Sequence, residues 1–323
     1  MTNIRRCIFI SLVSVLGLEV FAQQDATFTQ YMFNQVYYNP AFAGADAQDG
    51  DRLTVLHRSQ WFGYDGTINS GGAPTTQLFT YNTFLRPLNT GVGLHVVNDN
   101  LGPSNNFELK LSASRSLALP NRGTLTVGVQ VGVFSSSLAF DELVLVDPSD
   151  VVANLTGKES QIRPDIGVGI LYRKGNFFGG LSANHLIEPE FDFGADQLSN
   201  QLNRHYYLTA GYDYGVTPQL TITPTLLLKS VGFDTYQVDL SVIGTYDDRL
   251  WAGLAYRQSE SASAMFGYKL LENRLTLAYA FDFVVSDRDS KEPTSQEVML
   301  IYNFKKSGPI TKRSIIRTPR YRY

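Results

Sequence analysis

Fourteen short segments of the chain alternate apolar residues with small or polar residues, the pattern of β-strands that have two different faces. The clearest segment covers residues 124–134, and its apolar face is formed by Leu125, Val127, Val129, Val131 and Val133. Its other face carries Thr, Gly and Gln, which suits a water-filled lumen better than a second sheet. The pattern therefore predicts an all-β fold, a transmembrane antiparallel β-barrel of about 14 strands over residues 51–304.

The connections between these segments predict the orientation of the barrel. Six connections are tight turns that contain Gly, Pro, Asn or Asp, and every other connection is expected to be longer, above all residues 135–162 and 185–203. Outer-membrane barrels have short turns on the periplasmic side and long loops outside. An even number of strands returns the chain to its starting side, so we expect both termini in the periplasm.

The N-terminus has the features of a secretory signal peptide. Arg5 and Arg6 precede an apolar run over residues 8–18, and Val20 and Ala22 are small residues suited to cleavage before Gln23. We therefore expect residues 1–22 to be a signal peptide, which removes the single cysteine, Cys7. No later stretch approaches the roughly 20 apolar residues of a spanning helix.

Composition agrees with a barrel, because 18 Tyr, 20 Phe and 27 Gly accompany a mean hydropathy of only −0.11. Alternation hides the hydrophobicity of barrel strands from such averages. Aromatic residues such as Tyr207 and Tyr212 gather near strand ends, as interfacial girdles do. The strand propensity of aromatic residues is the alternative explanation.

Charge separates the C-terminal tail from the rest of the chain. The net charge is −3, but residues 305–323 carry no acid and seven cations: Lys305, Lys306, Lys312, Arg313, Arg317, Arg320 and Arg322. We expect a periplasmic tail that binds an acidic partner. The alternative is a solvated tail that attracts anionic lipid headgroups.

Signals of catalysis are weak. His57, His95, His185 and His205 are the only histidines, no pair has metal-ligand spacing, and no serine lies in a nucleophile-elbow sequence. His95 is expected to face the lumen. The glycine pairs around Val92 and Val168 lie inside strands, where glycine allows kinking or fits a crowded lumen. We expect no enzyme, metal or cofactor, with an interfacial barrel hydrolase as the alternative.

Acidic residues concentrate in the two longest loops. They form a candidate cargo-facing surface that consists of Asp141, Glu142, Asp147, Asp150, Glu188, Glu190 and Asp192. Their spacing does not match an EF-hand loop. A solvated acidic surface is the alternative interpretation.

The most specific motifs lie before and within the first predicted hairpin. Residues 30–34 read QYMFN, residues 38–44 read YNPAFAG with Tyr38, Asn39, Pro40 and Ala41, and residues 57–61 read HRSQW with Arg58, Gln60 and Trp61. Ala73-Pro74-Thr75-Thr76 follows. In this order the motifs resemble the PorP/SprF family of type IX secretion system membrane proteins. The basic tail is similar to that of some gliding-associated members.

The resemblance implies an outer-membrane component that delivers large surface proteins, such as gliding adhesins, to the cell surface. The implied partners are an adhesin C-terminal domain and the periplasmic ring or lipoprotein components of the machinery, together with outer-membrane lipid and no nucleic acid. From the residues themselves we expect residues 23–50 to form a plug or collar. The rival interpretation is a FadL-like channel for hydrophobic solutes, which shares the tripeptide Asn39-Pro40-Ala41.

Overall fold

The computed structural model describes residues 25–48, 50–63, 72–120, 122–143, 154–194, 198–233, 235–286 and 292–305 of the 323-residue chain. The expected signal peptide lies outside these residues, as do Asp147, Asp150 and the tail beyond Lys305. Among the described residues, no helix has both the length and the apolar character needed to cross a membrane.

Fourteen strands form one closed antiparallel barrel, which confirms the predicted fold class and strand number. They are β1 Arg52–Ser59, β2 Thr75–Leu85, β3 Thr90–Leu101, β4 Ser104–Ala118, β5 Thr124–Ala139, β6 Lys158–Lys174, β7 Phe177–Asn184, β10 His205–Tyr212, β12 Leu220–Val231, β13 Thr235–Tyr246, β14 Leu250–Arg257, β15 Ser261–Leu270, β16 Leu275–Val284 and β17 Thr294–Asn303. Strand β1 pairs with β17, and β10 pairs with both β7 and β12, so the sheet has no free edge.

Three short strands complete the sheet structure. β8 (Glu190–Phe193) and β9 (Leu198–Gln201) form a hairpin within the connection from β7 to β10. β11 (Tyr214–Gly215) continues the pairing of β10 with β12 beyond Asp213. The long connection is therefore partly ordered by its own hairpin.

The two ends of the barrel differ in their connections. The six predicted tight turns lie at one end, hereafter the turn end, and the long connections lie at the opposite loop end. The expectation that every loop-end connection is long is wrong at three places: residues 102–103, 232–234 and 258–260. Strand β5 also continues to Ala139, and β6 begins at Lys158. Backbone pairing needs no apolar alternation outside the lipid, so polar segments extend these strands beyond the pattern.

The predicted register of β5 is confirmed. Val127, Val129 and Val131 are 43%, 55% and 56% exposed on the outer face, while Thr126 and Gln130 are buried on the inner face. Gln130 Nε2 donates to Asn184 Oδ1 at 2.9 Å. The expectation of a water-filled lumen is therefore wrong along this strand, because its inner face is packed.

Candidate functional site in the lumen

Residues 25–48, hereafter the lumenal segment, lie inside the barrel and contact strands on all sides of it. The segment starts near the loop end, where Asp25 lies 2.9 Å from His185, the residue that follows β7. It descends to the turn end, where Arg52 at the start of β1 donates to the Phe33 carbonyl. Phe28, Tyr31 and Tyr38 of the segment are almost completely buried.

The rest of the segment turns back into the lumen and then leads to β1. A one-turn helix, Gln35–Tyr38, carries the chain back toward β7, where Ser182 Oγ donates to the Tyr38 carbonyl at 2.7 Å. A final pass reaches Gly44, beside Gly91 near the start of β3. Three passes place Asp25 near the loop end, whereas Lys305 follows β17 at the turn end. The expected periplasmic location of both termini stays a prediction, because the residues before Asp25 and after Lys305 lie outside the described part of the chain.

Glycines on four strands form a surface without side chains, hereafter the glycine seat, against which residues 39–43 pack. Its members are Gly91 of β3, Gly128 of β5, Gly169 of β6 and Gly180 of β7. A Cβ at Gly91 would overlap the Ala43 carbonyl, and one at Gly128 would overlap the Pro40–Ala41 backbone. Only glycine permits this approach of two backbones. The strand glycines thus serve the crowded-lumen role predicted for them.

Asn39 fastens this part of the segment to the wall. Its Nδ2 donates to the carbonyls of Ile170 in β6, at 3.0 Å, and Leu181 in β7, at 3.2 Å. Its Oδ1 accepts from the Ala41 amide at 2.9 Å and so begins the turn at Pro40. The motif residues therefore act together, because Asn39 supplies the bonds and Ala41 fits the glycine seat.

A second contact region, hereafter the charged cradle, holds residues 27–31. It consists of Arg58, Asp239, Arg257, Asp282 and Glu297. Arg58 Nη1 lies 2.7 Å from Asp282 and 3.3 Å from Glu297, and all three side chains are at most 2% exposed. Arg257 Nε donates to Asp239 at 2.9 Å. Removing one member of such a buried pair typically costs about 3 to 5 kcal/mol, because the other charge remains buried.

The cradle binds the segment through both main-chain and side-chain groups. Glu297 accepts from the amides of Thr29, at 2.8 Å, and Gln30, at 2.9 Å. Thr29 Oγ1 donates to Asp282 and accepts from Arg58, both at 2.8 Å. Carboxylates and a guanidinium of the barrel wall therefore act together to fix residues 29 and 30.

Tyr31 continues the same polar contacts on the next strands. Its hydroxyl lies 3.0 Å from Thr225 Oγ1 and 3.2 Å from Ser241 Oγ. A neutral hydroxyl can donate to one of these partners and accept from the other.

A third region, hereafter the histidine cluster, surrounds Asp25. His185 Nε2 lies 2.9 Å from Asp25, and His185 Nδ1 lies 2.7 Å from Asp165. Lys110 Nζ bridges Asp165, at 2.7 Å, and Glu108, at 3.1 Å. Tyr207 also donates to Asp25, so Tyr207 faces inward and its expected place in an outer girdle is wrong. Tyr212 is exposed, as a girdle residue would be.

The electrostatics of this cluster favour a charged imidazole. Burial alone would lower the pKa of His185, but the Asp25 carboxylate and the hydrogen bonds to Asp165 and Asp25 raise it to about 9. Burial alone would raise the pKa of Asp25, but His185 and His205 hold it well below its usual range. The barrel therefore grips the start of the segment with an ion pair.

The cluster contains two groups of potential metal ligands, namely Asp25, His185 and His205, and Glu108, Asp165 and His185. In the second group, the Lys110 ammonium already bridges the two carboxylates. Both nitrogens of His185 already face carboxylates, so the group needs no cation to balance its charge. We therefore interpret these residues as an ion-pair network that holds the segment.

An apolar cluster, hereafter the lid, covers the loop end beside His185. It is formed by Phe134, Phe140, Phe191, Phe193 and Leu202. Phe134 packs edge-on against His185, with ring centroids 5.8 Å apart. The lid draws on both of the longest connections, so these loops pack on each other above the lumenal segment.

The described acids of these loops have different surroundings. Glu142 and Glu190 are exposed. Glu188 lies 2.8 Å from Arg204, and Asp141 accepts from the Gly157 amide. Asp192 is half-buried between Phe191 and Phe193 of the lid. Among the described acids, only Glu142 and Glu190 are thus exposed without a side-chain hydrogen bond or ion pair. The predicted acidic surface is therefore only partly available to a partner.

The motif residues Arg58, Gln60 and Trp61 lie in different surroundings. Arg58 enters the charged cradle, whereas Gln60 and Trp61 lie beyond β1 at the loop end. The Trp61 amide donates to Ser295 Oγ, and the Gln60 amide donates to the Pro74 carbonyl. Of the basic tail, the structure describes only Lys305, which is exposed.

Sequence reasoning missed most of the charged cradle and the histidine cluster. His95, predicted to face the lumen, does so and lies 2.5 Å from Glu108. The overlooked signal was the occurrence of charged residues on the inner register of the strands, as at Lys110, Asp165 and Arg257. A charge buried in that register requires a partner, and the lumenal segment or a neighbouring strand supplies it.

A cavity of about 340 Å³ lies beside the segment at the turn end. Met32, Phe33 and Phe178 supply its apolar wall, and Asp46 and Arg173 supply charges. Asp46 also lies 3.5 Å from Arg52 and 3.8 Å from Arg173. The cavity is therefore mixed in polarity.

Comparison with known proteins supports both the fold and a family. The toluene transporter TbuX of Ralstonia pickettii is similar with a TM-score of 0.53 and 10% identity, over 83% of this chain and 93% of that chain. A mutant of the monoaromatic hydrocarbon channel TodX gives 0.50 and 13%, over 86% and 95%. At these identities the likeness shows the barrel fold alone.

The sequence comparisons are more specific. No curated protein matches the chain. The family profile described as "Type IX secretion system membrane protein PorP/SprF" matches residues 20–302, which include the lumenal segment and all fourteen barrel strands through Tyr302. The chain therefore belongs to the PorP/SprF family of type IX secretion system membrane proteins, and it is an outer-membrane β-barrel.

Proposed function

We propose that the protein is a non-enzymatic outer-membrane component that holds large surface proteins, such as gliding adhesins, during their secretion or anchoring. The observation that carries the proposal is the filled lumen. Residues 25–48 pass through it three times and are held by buried ion pairs and by the glycine seat. A barrel occupied in this way serves attachment better than free diffusion of solutes.

In this proposal the chain has four parts. Residues 1–22 direct export, residues 23–50 plug the barrel, residues 51–304 span the membrane and residues 305–323 act in the periplasm. Burial of a side chain as large as Phe28, Tyr31 or Tyr38 contributes about 1.5 to 3 kcal/mol, which favours the plugged state over an open lumen. The partners of Tyr38, Asn39 and Ala41 in the wall support this role.

The loop end is the proposed cargo-facing side. Glu142 and Glu190 are exposed there, next to the apolar lid. A cargo domain with basic or amide donors would bind these acids through contacts that salt weakens. The lid gives the same surface an apolar centre.

The turn end is the proposed periplasmic side. Lys305 follows β17 there, so the cations of the tail would face the periplasmic ring or lipoprotein components of the machinery. Seven cations without an acid favour an acidic partner. Pro309 and Pro319 discourage a long helix, so we expect an extended peptide that orders on binding.

A channel for hydrophobic solutes is the second candidate function. The fold likeness to TbuX and the cavity beside Phe33 and Phe178 favour it. Burying Asp46 and Arg173 next to an apolar solute would cost free energy, because these charges would lose solvent. The mixed lining therefore favours the secretion role.

The test is removal of the chain in its native host. On intact cells of the deletion strain, we expect added trypsin to degrade fewer surface proteins, because some of them no longer reach the surface. Expression of the full chain should restore their degradation. A second, unrelated outer-membrane barrel should stay at its normal level as the control. Normal display of all surface proteins in the deletion strain would contradict the proposal.

A further inference from the structure

We infer that the charged cradle is a binding site for the main chain of a peptide turn, and that residues 28–30, whose last two residues form a turn before the helix Tyr31–Phe33, occupy it as a replaceable internal ligand. The incoming ligand would be a turn-forming stretch of an exported polypeptide. That identity rests on the proposed function, whereas replacement of residues 28–30 does not.

The charged cradle binds main-chain peptide groups. Glu297 accepts from the amides of Thr29 and Gln30, one on each carboxylate oxygen. Arg257 donates to the Phe28 carbonyl at 3.0 Å. Three consecutive residues are thus recognised through main-chain groups, of which proline lacks only the amide N–H.

The same mode of recognition recurs along the segment. Ser182 donates to the Tyr38 carbonyl, and Ser114 donates to the Ala43 carbonyl at 2.8 Å. Arg86 donates to the Gln48 carbonyl at 2.7 Å. The barrel wall therefore holds a path of backbone contacts that tolerates changes of side chain.

The internal ligand fits the charged cradle imperfectly. The side-chain amide of Gln30 is completely buried, yet within the described part of the chain its Nε2 and Oε1 have no hydrogen-bond partner. Buried polar groups are ordinarily paired, and an unpaired one weakens binding. A peptide with an apolar residue here would occupy the cradle more favourably.

The cradle also specifies one side chain. Thr29 Oγ1 donates to Asp282 and accepts from Arg58, so this position requires a small hydroxyl. The ligand chemistry is therefore a peptide turn with Thr or Ser followed by an apolar residue. Proline is excluded at both positions, because Glu297 needs both amides.

The test uses the full chain, purified in detergent, with a protease site inserted between Gln48 and Asp51. The folded protein is cleaved there and mixed with a fluorescent peptide of residues 23–36 that carries Gln30→Leu. The matched control is the same peptide with N-methyl groups on the amides of residues 29 and 30. Unheated electrophoretic mobility reports that the barrel stays folded.

We expect the first peptide to bind and release the internal segment. The methylated peptide should bind at least about a hundredfold more weakly, about tenfold for each of the two amide hydrogen bonds to Glu297 that it lacks. Gln30→Leu in the chain itself should slow the exchange. Equal binding of both peptides, or no binding to a folded, cleaved barrel, would overturn the inference. Because the assay uses purified protein, its failure is distinguishable from a failure of surface delivery in cells.

Discussion

His185 Nε2 lies 2.9 Å from the Asp25 carboxylate and thereby ties the start of the lumenal segment to the end of β7. The other nitrogen of the ring faces Asp165. The imidazole is thus an ionic link between the segment and the barrel wall, and its charge decides how firmly that end is held.

The link should depend on pH in both directions. Because the pKa of His185 is raised to about 9, from roughly 6.5 in the unfolded chain, its contribution is complete below about pH 6.5 and is lost as the pH rises through 9. Because the pKa of Asp25 is lowered, its contribution is present above about pH 4 and is lost at lower pH. The protection factors of the segment, which compare its hydrogen exchange with the intrinsic base-catalysed rate at the same pH, should therefore fall between pH 6.5 and 10.

His57 supplies the control for this experiment, since it is exposed on the outer face of β1. His185→Gln should abolish the alkaline change, and His57→Gln should leave it intact. An unchanged alkaline profile in the His185→Gln variant would show that another group is responsible.

The glycine seat should be intolerant of any side chain. Gly128→Ala would drive a methyl group into the backbone at Ala41, so we expect the segment to be displaced at a cost of about 1 to 3 kcal/mol. Protease cleavage within residues 39–43 of the folded protein should increase. Gly244→Ala is the matched control, because the nearest atom to its Cβ, the Ala252 carbonyl oxygen, is 3.9 Å away. Equal resistance of both variants to protease would refute the seat.

Asn39 should act through its two donors. Asn39→Asp replaces an amide that serves two carbonyls with a carboxylate that repels them, so we expect a loss of about 1 to 3 kcal/mol in barrel stability. The measurement is the temperature at which the barrel loses its compact electrophoretic mobility. Asn98→Asp is the control, since Asn98 donates only to the exposed Gln77 side chain. A similar shift for both variants would argue against a special role of Asn39.

The outer face should reject charge. Val129→Arg and Val242→Arg each place a cation at a half-exposed outer position, which costs about 2 to 4 kcal/mol near the middle of a bilayer. Gln130→Arg, the inward change that alternation alone marks as tolerated, should also be costly because Gln130 is 1% exposed. Thr245→Arg is the better inward control, since Thr245 lines the 340 Å³ cavity. Refolding yield in lipid vesicles would separate these cases, and equal yields for Val242→Arg and Thr245→Arg would contradict the register.

Alternation predicted the fold because a strand in lipid must show an apolar face, as β5 does at Val127, Val129 and Val131. It could not predict how the lumen is filled. Gly128 reads as a small inner residue whether it faces water or Ala41, and only the path of the segment decides between them. The position of Asp25 near the loop end likewise depends on the three passes of the segment, which strand parity does not describe.

The motifs before β1 predicted which residues matter but not their partners. Asn39 and Arg58 were found from the sequence, while Ile170, Leu181, Asp282 and Glu297 were not. These partners are more than 100 residues away along the chain, and barrel closure brings them together. In a single sequence, the only sign of this proximity is a charged residue at an inward-facing strand position.

The most direct test of the account is affinity isolation of the tagged protein from the native envelope, followed by identification of every bound polypeptide and lipid. We predict that a large surface protein and components of the secretion machinery co-purify with the barrel. Isolation of the barrel without any polypeptide, and with a hydrocarbon or lipid bound in its lumen, would contradict the account and favour a solute channel.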